Sequence, residues 1–296
     1  MNVVLIVNPF ATRVTDEGVT AVERELGRVG TVETIRTERP RQATDIVVEA
    51  GRSRSDAIVV FSGDGGFNEA LNGLHADVPI GFIPGGGTSV LPRALGLPAE
   101  PADAARQIAA AIGARSTRRI TLGSVNGRRF GFSAGVGLDA EAVRRVDKMG
   151  RSSEGRRPGD LAFARAVVAA IASNRGHLDP SLEVVGLGRA AFAFVANGSP
   201  YTYAMGIPVP LVPDADFELG LDVVAPVRIR RRSLIRTAYA LLRGHPLAAE
   251  VLVGHDLDRI EIRCDAPLPL HVDGEDLGDV KYAVFEAQRA AVSVLV

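Results

Sequence analysis

Asp64 stands inside a glycine-rich turn, FSGDGGFNEALNGL over residues 61–74, and a second such turn, IPGGGTSVLPRALG, follows over residues 83–96. Each segment leaves a strand-like apolar run and opens a helix. Glycines at such a junction let backbone amides approach a phosphate closely, and a helix N-terminus adds partial positive charge. A carboxylate in the turn is awkward as an anion ligand but natural as a partner of Mg²⁺ or of a nucleotide. The pair points to a nucleoside triphosphate site. Phosphoryl transfer also needs a base near an acceptor hydroxyl, and Asp273 and Glu275, on either side of Gly274 after the apolar run LPLHV, offer one at a strand end. G-x-x-x-x-G-K-[ST], the protein-kinase motif set and H-E-x-x-H are all absent, which excludes P-loop, protein-kinase and zincin chemistry.

These residues need elements to hold them. Val3–Val7 and Ala57–Phe61 are continuous apolar runs, as expected of parallel strands covered on both faces. Val19, Val22, Leu26 and Val29 recur at helical spacing, with Thr15 or Asp16 as N-cap. Thr31–Thr37 reads as a strand, Ala43–Ser53 as a helix, Ile80–Ile83 as a strand and Ala102–Ile112 as a helix. Alternating strands and helices predict a parallel α/β sheet with its ligand at the carboxyl ends of the strands, where both glycine turns fall.

From about residue 118 the pattern changes. Arg119–Ser124 and Arg129–Ser133 flank Val125-Asn126-Gly127-Arg128, a hairpin signature. Short strand-like runs follow at Leu182–Val185, Ala190–Val195, Leu221–Val224, Leu252–Val253, Arg259–Arg263 and Leu268–Val272, interrupted by predicted helices at Leu161–Asn174 and Ser233–Leu242. The expectation is an α/β domain over 1–118 and a β-rich domain over 119–285.

Composition narrows the classes. The 296 residues carry 46% hydrophobic and 23% charged side chains, ordinary for a globular chain, and a net charge of −1 makes any basic surface local. The single Cys264 cannot form an intramolecular disulfide and fits a reducing cytosol. The N-terminal run lacks the basic flank of a signal peptide, and no apolar run reaches the roughly 18–20 residues that span a bilayer. Aromatic residues make up 5% with no Trp, too few for base stacking, so nucleic acid is not the expected partner.

The blocks Asn8-Pro9, SGDGGFNEALNG, PGGGTSVLPRALGLP, AGVGLDA (134–140), VANG (195–198) and HVDGE (271–275) together resemble the diacylglycerol-kinase catalytic-domain family of lipid kinases, in the family's order and over nearly the whole chain. The resemblance implies an N-terminal three-layer α/β domain, a C-terminal β-sandwich-like domain, a site in the cleft between them, and a last strand (286–296) returning to the first domain. It implies ATP and Mg²⁺ as cofactors and a lipid alcohol as substrate, with diacylglycerol first and a sphingoid base or another lipid alcohol as alternatives. By resemblance Asn8 contacts the nucleotide. Gly63, Asp64, Gly65 and Gly66 form the phosphate turn, supported by Asn68 and Glu69, and Gly86, Gly87 and Thr88 form a second wall. Asp64 holds the metal, Asp273 is the general base, and Glu275 lies near the metal.

Several positions depart from the family pattern. The family usually writes GGDGT, whereas Ser62 and Gly66 stand at the first and last positions here; Ser89 replaces an Asn. Leu219 falls where an Asp would close the family's structural metal loop. Asp214, Asp216 and Glu218 there read either as metal ligands or as an exposed acidic turn. These departures keep open a catalytically weak lipid- or nucleotide-binding homologue. Outside the family context, Asp273 and Glu275 read as a solvated hairpin turn. Two basic stretches, Arg144, Arg145, Lys148, Arg151, Arg156 and Arg157, and then Arg228, Arg230, Arg231, Arg232 and Arg236, suit either a solvated surface or peripheral contact with an anionic membrane. A cytoplasmic, membrane-peripheral enzyme is expected, and exposed strand edges in such folds suit a homodimer.

Overall fold

Unbroken apolar runs form the inner strands of the first unit, whose faces are both covered, whereas the edge strand Thr31–Arg36 alternates polar and apolar residues and is partly exposed. In the computed structural model, described over residues 1–53, 55–75, 77–148, 177–204, 206–230 and 250–296, the chain divides into two compact units. One comprises Met1–Ile120 with Ala290–Val296, the other Thr121–Arg289. The helices predicted at Leu161–Asn174 and Ser233–Leu242 lie outside the described residues, as do Arg151, Arg156, Arg157, Arg231, Arg232 and Arg236 of the two basic stretches.

In the first unit, β1 (Asn2–Val7), β2 (Thr31–Arg36), β3 (Ala57–Ser62) and β4 (Ile80–Pro84) are parallel in the order β4-β3-β1-β2. The order reverses between β1 and β3, so the loops after these two strands border the crevice where ligands of open α/β sheets bind. Helices α1 (Asp16–Leu26), α2 (Gln42–Arg52), α3 (Asp64–Gly73), α4 (Val90–Ala94) and α5 (Pro101–Ala114) connect them. Of the two candidate caps for α1, Thr15 serves: its Oγ1 accepts the Gly18 N–H at 3.0 Å. Leu5, Val7, Val59 and Phe61 of the sheet pack with Val22 and Leu26 of α1 and Ile108 and Ile112 of α5. Each such fully buried side chain contributes about 1.5–3 kcal/mol.

The second unit is mostly antiparallel. Its strands are β5 (Arg118–Val125, which begins in the first unit), β6 (Arg128–Phe130), β7 (Ser133–Val136), β8 (Leu182–Val184), β9 (Gly188–Ala190), β10 (Ala193–Ala196), β11 (Thr202–Ala204), β12 (Ile207–Val209), β13 (Leu221–Pro226), β14 (Val251–Leu257), β15 (Arg259–Val272) and β16 (Glu275–Val294), with α6 at Leu138–Lys148. Neighbouring strands run β14-β13-β10-β7-β15-β16. The Asn126-Gly127 turn forms as expected, with φ 48° and 87°, and joins β5 to β6. Runs predicted as separate strands at 259–263 and 268–272 are instead one strand. Pairing with β16 shifts register between Arg263 and Leu268, where Pro267 has no N–H to donate. The end of β16 belongs to the first unit, where Val294 pairs in parallel with Ile80 of β4.

Candidate active site

At the carboxyl end of the first unit's sheet, the two glycine turns meet backbone to backbone. A Cβ on Gly86 would lie 2.9 Å from the Gly63 Cα, so Gly86 has no room for a side chain, and one on Gly63 would make a tight 3.3 Å contact with the Gly86 Cα. Gly85 N donates to Ser62 O at 2.7 Å, Asn8 N to Phe61 O at 3.0 Å, and Arg13 N to Gly85 O at 2.9 Å. Three loops, after β1, β3 and β4, are thereby tied into one rim. Gly63, at the N-cap of the ten-residue α3, offers no side chain to its first amides, and Gly65 is exposed. A helix start with glycine amides beside it is a ready anion site.

The remaining predicted residues of this rim have mixed tasks. Asp64 Oδ1 accepts the Val90 N–H at 2.7 Å and the Leu91 N–H at 3.4 Å, so this carboxylate also caps α4 across the second turn. Asn8 Oδ1 accepts the Phe10 N–H at 3.0 Å, shaping the loop after β1. Ser89, buried, bonds through Oγ to Gly86 N at 3.0 Å and so braces the second turn from within. Gly87 is exposed and Thr88 half-buried on the rim. Asn68 is buried on α3 and accepts from Asn72 one turn on, while Glu69 offers its backbone carbonyl to Thr44 Oγ1 at 2.8 Å. Both support α3 rather than extending the rim.

In the second unit, Asp273 and Gly274 are the two central residues of the β15–β16 hairpin, with φ 47° and 77° and Val272 paired to Glu275. Asp-Gly suits this turn because both residues need positive φ. It is not a solvated turn: Asp273 is 5% exposed. Its carboxylate accepts the N–H groups of Gly131 (2.7 Å), Phe132 (3.0 Å) and Ser133 (3.1 Å), which fix its orientation. Glu275 points elsewhere and pairs with Arg128 at 3.0 Å.

A family model for the diacylglycerol kinase catalytic domain matches residues 2–125, and one for the YegS C-terminal NAD kinase beta sandwich-like domain matches residues 133–296. The chain belongs to the diacylglycerol kinase catalytic-domain family. A diacylglycerol kinase of Bacillus subtilis strain 168 is 28% identical over 240 residues, 79% of this chain and 75% of that protein. A Streptococcus pneumoniae protein provisionally named a lipid kinase is 33% identical over 119 residues, and the match spans only 39% of either chain. A crystal structure provisionally described as a diacylglycerol kinase, from Bacillus anthracis, shares the fold with TM-score 0.78 at 22% identity, covering 99% of this chain and 94% of that one. An NAD kinase from Archaeoglobus fulgidus, solved in complex with ATP, does so with TM-score 0.54 at 15% identity, covering 100% and 94%.

Within this diacylglycerol kinase family, the chain's departures have physical readings. A Cβ at Gly66 would collide with Ser62 Oγ, which is buried and, among the described residues, without a hydrogen-bond partner. The hydroxyl missing at 66 has a counterpart at 62, filling the volume that a side chain at 66 would take. Ser62 was legible only as a departure; its link to Gly66 needed the strand-to-helix geometry.

Asp214, Asp216 and Glu218, expected either as metal ligands or as an exposed acidic turn, are all exposed. Among the described residues no three His, Cys, Asp or Glu side chains gather as a metal site. Asp216 Oδ1 instead accepts the Glu218 N–H at 2.9 Å. Beyond Leu219, the Gly220 N–H donates to Asp256 Oδ1 at 2.7 Å, and Arg289 reaches Asp256 at 2.8 Å and Asp258 at 2.6 Å. His255 Nδ1 lies 2.8 Å from the buried Asp222. Hydrogen bonding to Asp222, then its charge, raises the His255 imidazole above its ordinary value. Arg289 therefore serves Asp256 and Asp258, and His255 faces Asp222. Mg²⁺ carried by a nucleotide is a different matter, since it takes one or two carboxylates and otherwise phosphates and water. Asp64 is the carboxylate in the phosphate turn that fits that need.

Proposed function

We propose that the chain is an ATP- and Mg²⁺-dependent lipid kinase transferring the γ-phosphoryl group to a lipid hydroxyl, with diacylglycerol, giving phosphatidic acid, as the first acceptor. The observation that carries this reading is the rim where Gly63 and Gly86 touch at the carboxyl ends of β3 and β4. Asn8, Gly63, Gly65, Gly66, Gly86, Gly87 and Thr88 would hold the nucleotide, the glycine amides orienting its phosphates. Mg²⁺-ATP supplies the phosphoryl group and neutralises charge on its oxygens. The protein's part is then largely positioning, because the transition state is loose. Asp273 takes up the proton of the acceptor hydroxyl at a carboxylate oxygen, its direction fixed by the Gly131–Ser133 amides.

Peripheral contact with an anionic cytoplasmic leaflet, and a homodimer, belong to the same proposal. Among the described residues no helix is long and apolar enough to cross a membrane. Three arginines of the basic stretches are engaged internally: Arg144 with Asp276 and Asp279, Arg145 with Glu141, Arg228 with Asp179. A second reading, a binding protein without turnover, draws support from Asp64 and Glu275 being committed to a helix cap and an ion pair.

The test is transfer of ³²P from γ-labelled ATP to diacylglycerol in anionic mixed micelles, beside Asp273→Asn. Labelled phosphatidic acid from the wild type alone is the expected result. No labelled lipid from diacylglycerol, a sphingoid base or other lipid alcohols, with ATP still bound, replaces the kinase with the binding protein.

A further inference from the structure

Three buried ionisable side chains of the second unit have no part in this scheme. Asp139 in the first turn of α6, Tyr201, and His271 on β15 are 5%, 4% and 2% exposed. Asp139 Oδ2 gathers the other two: the Tyr201 hydroxyl donates to it, and His271 Nε2 lies 2.5 Å away, which places the ring hydrogen on that nitrogen. Tyr201 Oη is also 3.0 Å from Ala134 O. Burial, then the charge on Asp139, pushes the tyrosine hydroxyl well above its ordinary value, so it stays a donor. The cluster closes around Gly135, where a Cβ would come within 2.7 Å of Asp139 Oδ2 and 2.9 Å of His271 Nε2.

The segment it grips is the one that Asp273 grips. Tyr201 meets Ala134, and His271 pairs with Gly135 across β7 and β15. One and two residues earlier, the Asp273 carboxylate takes the Phe132 and Ser133 amides, and its own N–H donates to Ser133 O at 2.8 Å. His271 itself precedes Asp273 by two residues, near the end of β15 that leads into the hairpin. A buried carboxylate held by two donors is costly to disturb, because losing either leaves a charge under-satisfied.

We propose that Asp139, Tyr201 and His271 are positioning residues for Asp273, locking β15 against β7 so that the Asp273 carboxylate keeps one orientation. This rests on Asp273 being the base of the lipid-kinase reaction. The atom required of His271 is its Nε2–H. Glutamine can present an amide N–H near that position, whereas asparagine reaches only as far as Nδ1.

The experiment measures kcat and KM for diacylglycerol, ATP affinity by calorimetry, and melting temperature, for wild type, Tyr201→Phe, His271→Gln and His271→Asn. His271→Asn is expected to lose kcat on the order of 10- to 100-fold, the scale set by small misplacements of a reacting group. Tyr201→Phe loses less, His271→Gln recovers most of the turnover, and ATP affinity and lipid KM hold in all three. Wild-type kcat in His271→Asn overturns the proposal. So does an equal loss in His271→Gln and His271→Asn that follows melting temperature, which would make the cluster packing alone. A wild type that binds ATP but transfers nothing instead removes the underlying lipid-kinase reading.

Discussion

Ser62 Oγ occupies the place of a Gly66 side chain, so the two positions should be energetically coupled. Gly66→Thr alone is expected to destabilise the first unit, and Ser62→Gly with Gly66→Thr to recover most of the loss. A double-mutant cycle by urea denaturation should give a coupling of about 1–3 kcal/mol, within the range for contacting residues; simple additivity would contradict the exchange. Asp273→Asn tests the base, again through single atoms. The asparagine amide nitrogen cannot accept all three backbone N–H bonds, so the variant should lose transfer and also about 1–3 kcal/mol of stability from a buried unsatisfied donor. ATP affinity, measured by calorimetry, should hold; unchanged turnover would remove Asp273 from the base role.

Among the elements, the loop from Asp214 to Asp222 is held by its own chain. Arg289 joins Asp256 and Asp258, and Asp256 in turn receives the Gly220 amide. Wild-type melting temperature is therefore expected to be equal in EDTA and in Mg²⁺ without nucleotide, while Arg289→Met lowers it in both. A large drop in EDTA would place a metal in this loop. His255 adds a pH dependence of definite sign. Its imidazole value is raised in the folded state, so the stabilisation is complete below the unfolded value and is lost as pH rises through the folded one. Urea unfolding of His255→Gln should lack that decline with rising pH.

For the whole molecule, the last seven residues matter out of proportion to their number. Ala290–Val296 leave the second unit's strand and complete the first unit's sheet, burying Val292, Val294 and Leu295 to 2%, 0% and 2% exposure. At about 1.5–3 kcal/mol for each buried side chain, their loss rivals the stability of an ordinary domain. A chain ending at Arg289 should fail to give a cooperative melting transition for the first unit and should lose ATP binding. Wild-type nucleotide affinity in that truncation would show the segment to be dispensable.

Local residue types determined much of this protein. Continuous apolar runs carried the parallel strands, Thr15 the cap of α1, and Asn126-Gly127 and Asp273-Gly274 their tight turns, because each depends on neighbours within a few positions. The glycine turns and their place at strand ends were legible for the same reason. Other features required the folded chain, since their partners lie far apart in sequence. Whether Asp273 is solvated depends on Gly131–Ser133. Whether Ser62 has room depends on the path of α3. Arg289 and His255 meet the carboxylates near Leu219 only once the folded chain brings β13, β14 and β16 together. Asp139, Tyr201 and His271, 132 residues apart at the extremes, become one cluster only through the strand pairing that carries them. Tertiary structure decided these because burial and electrostatic partnership depend on proximity in space, which residue spacing alone does not fix.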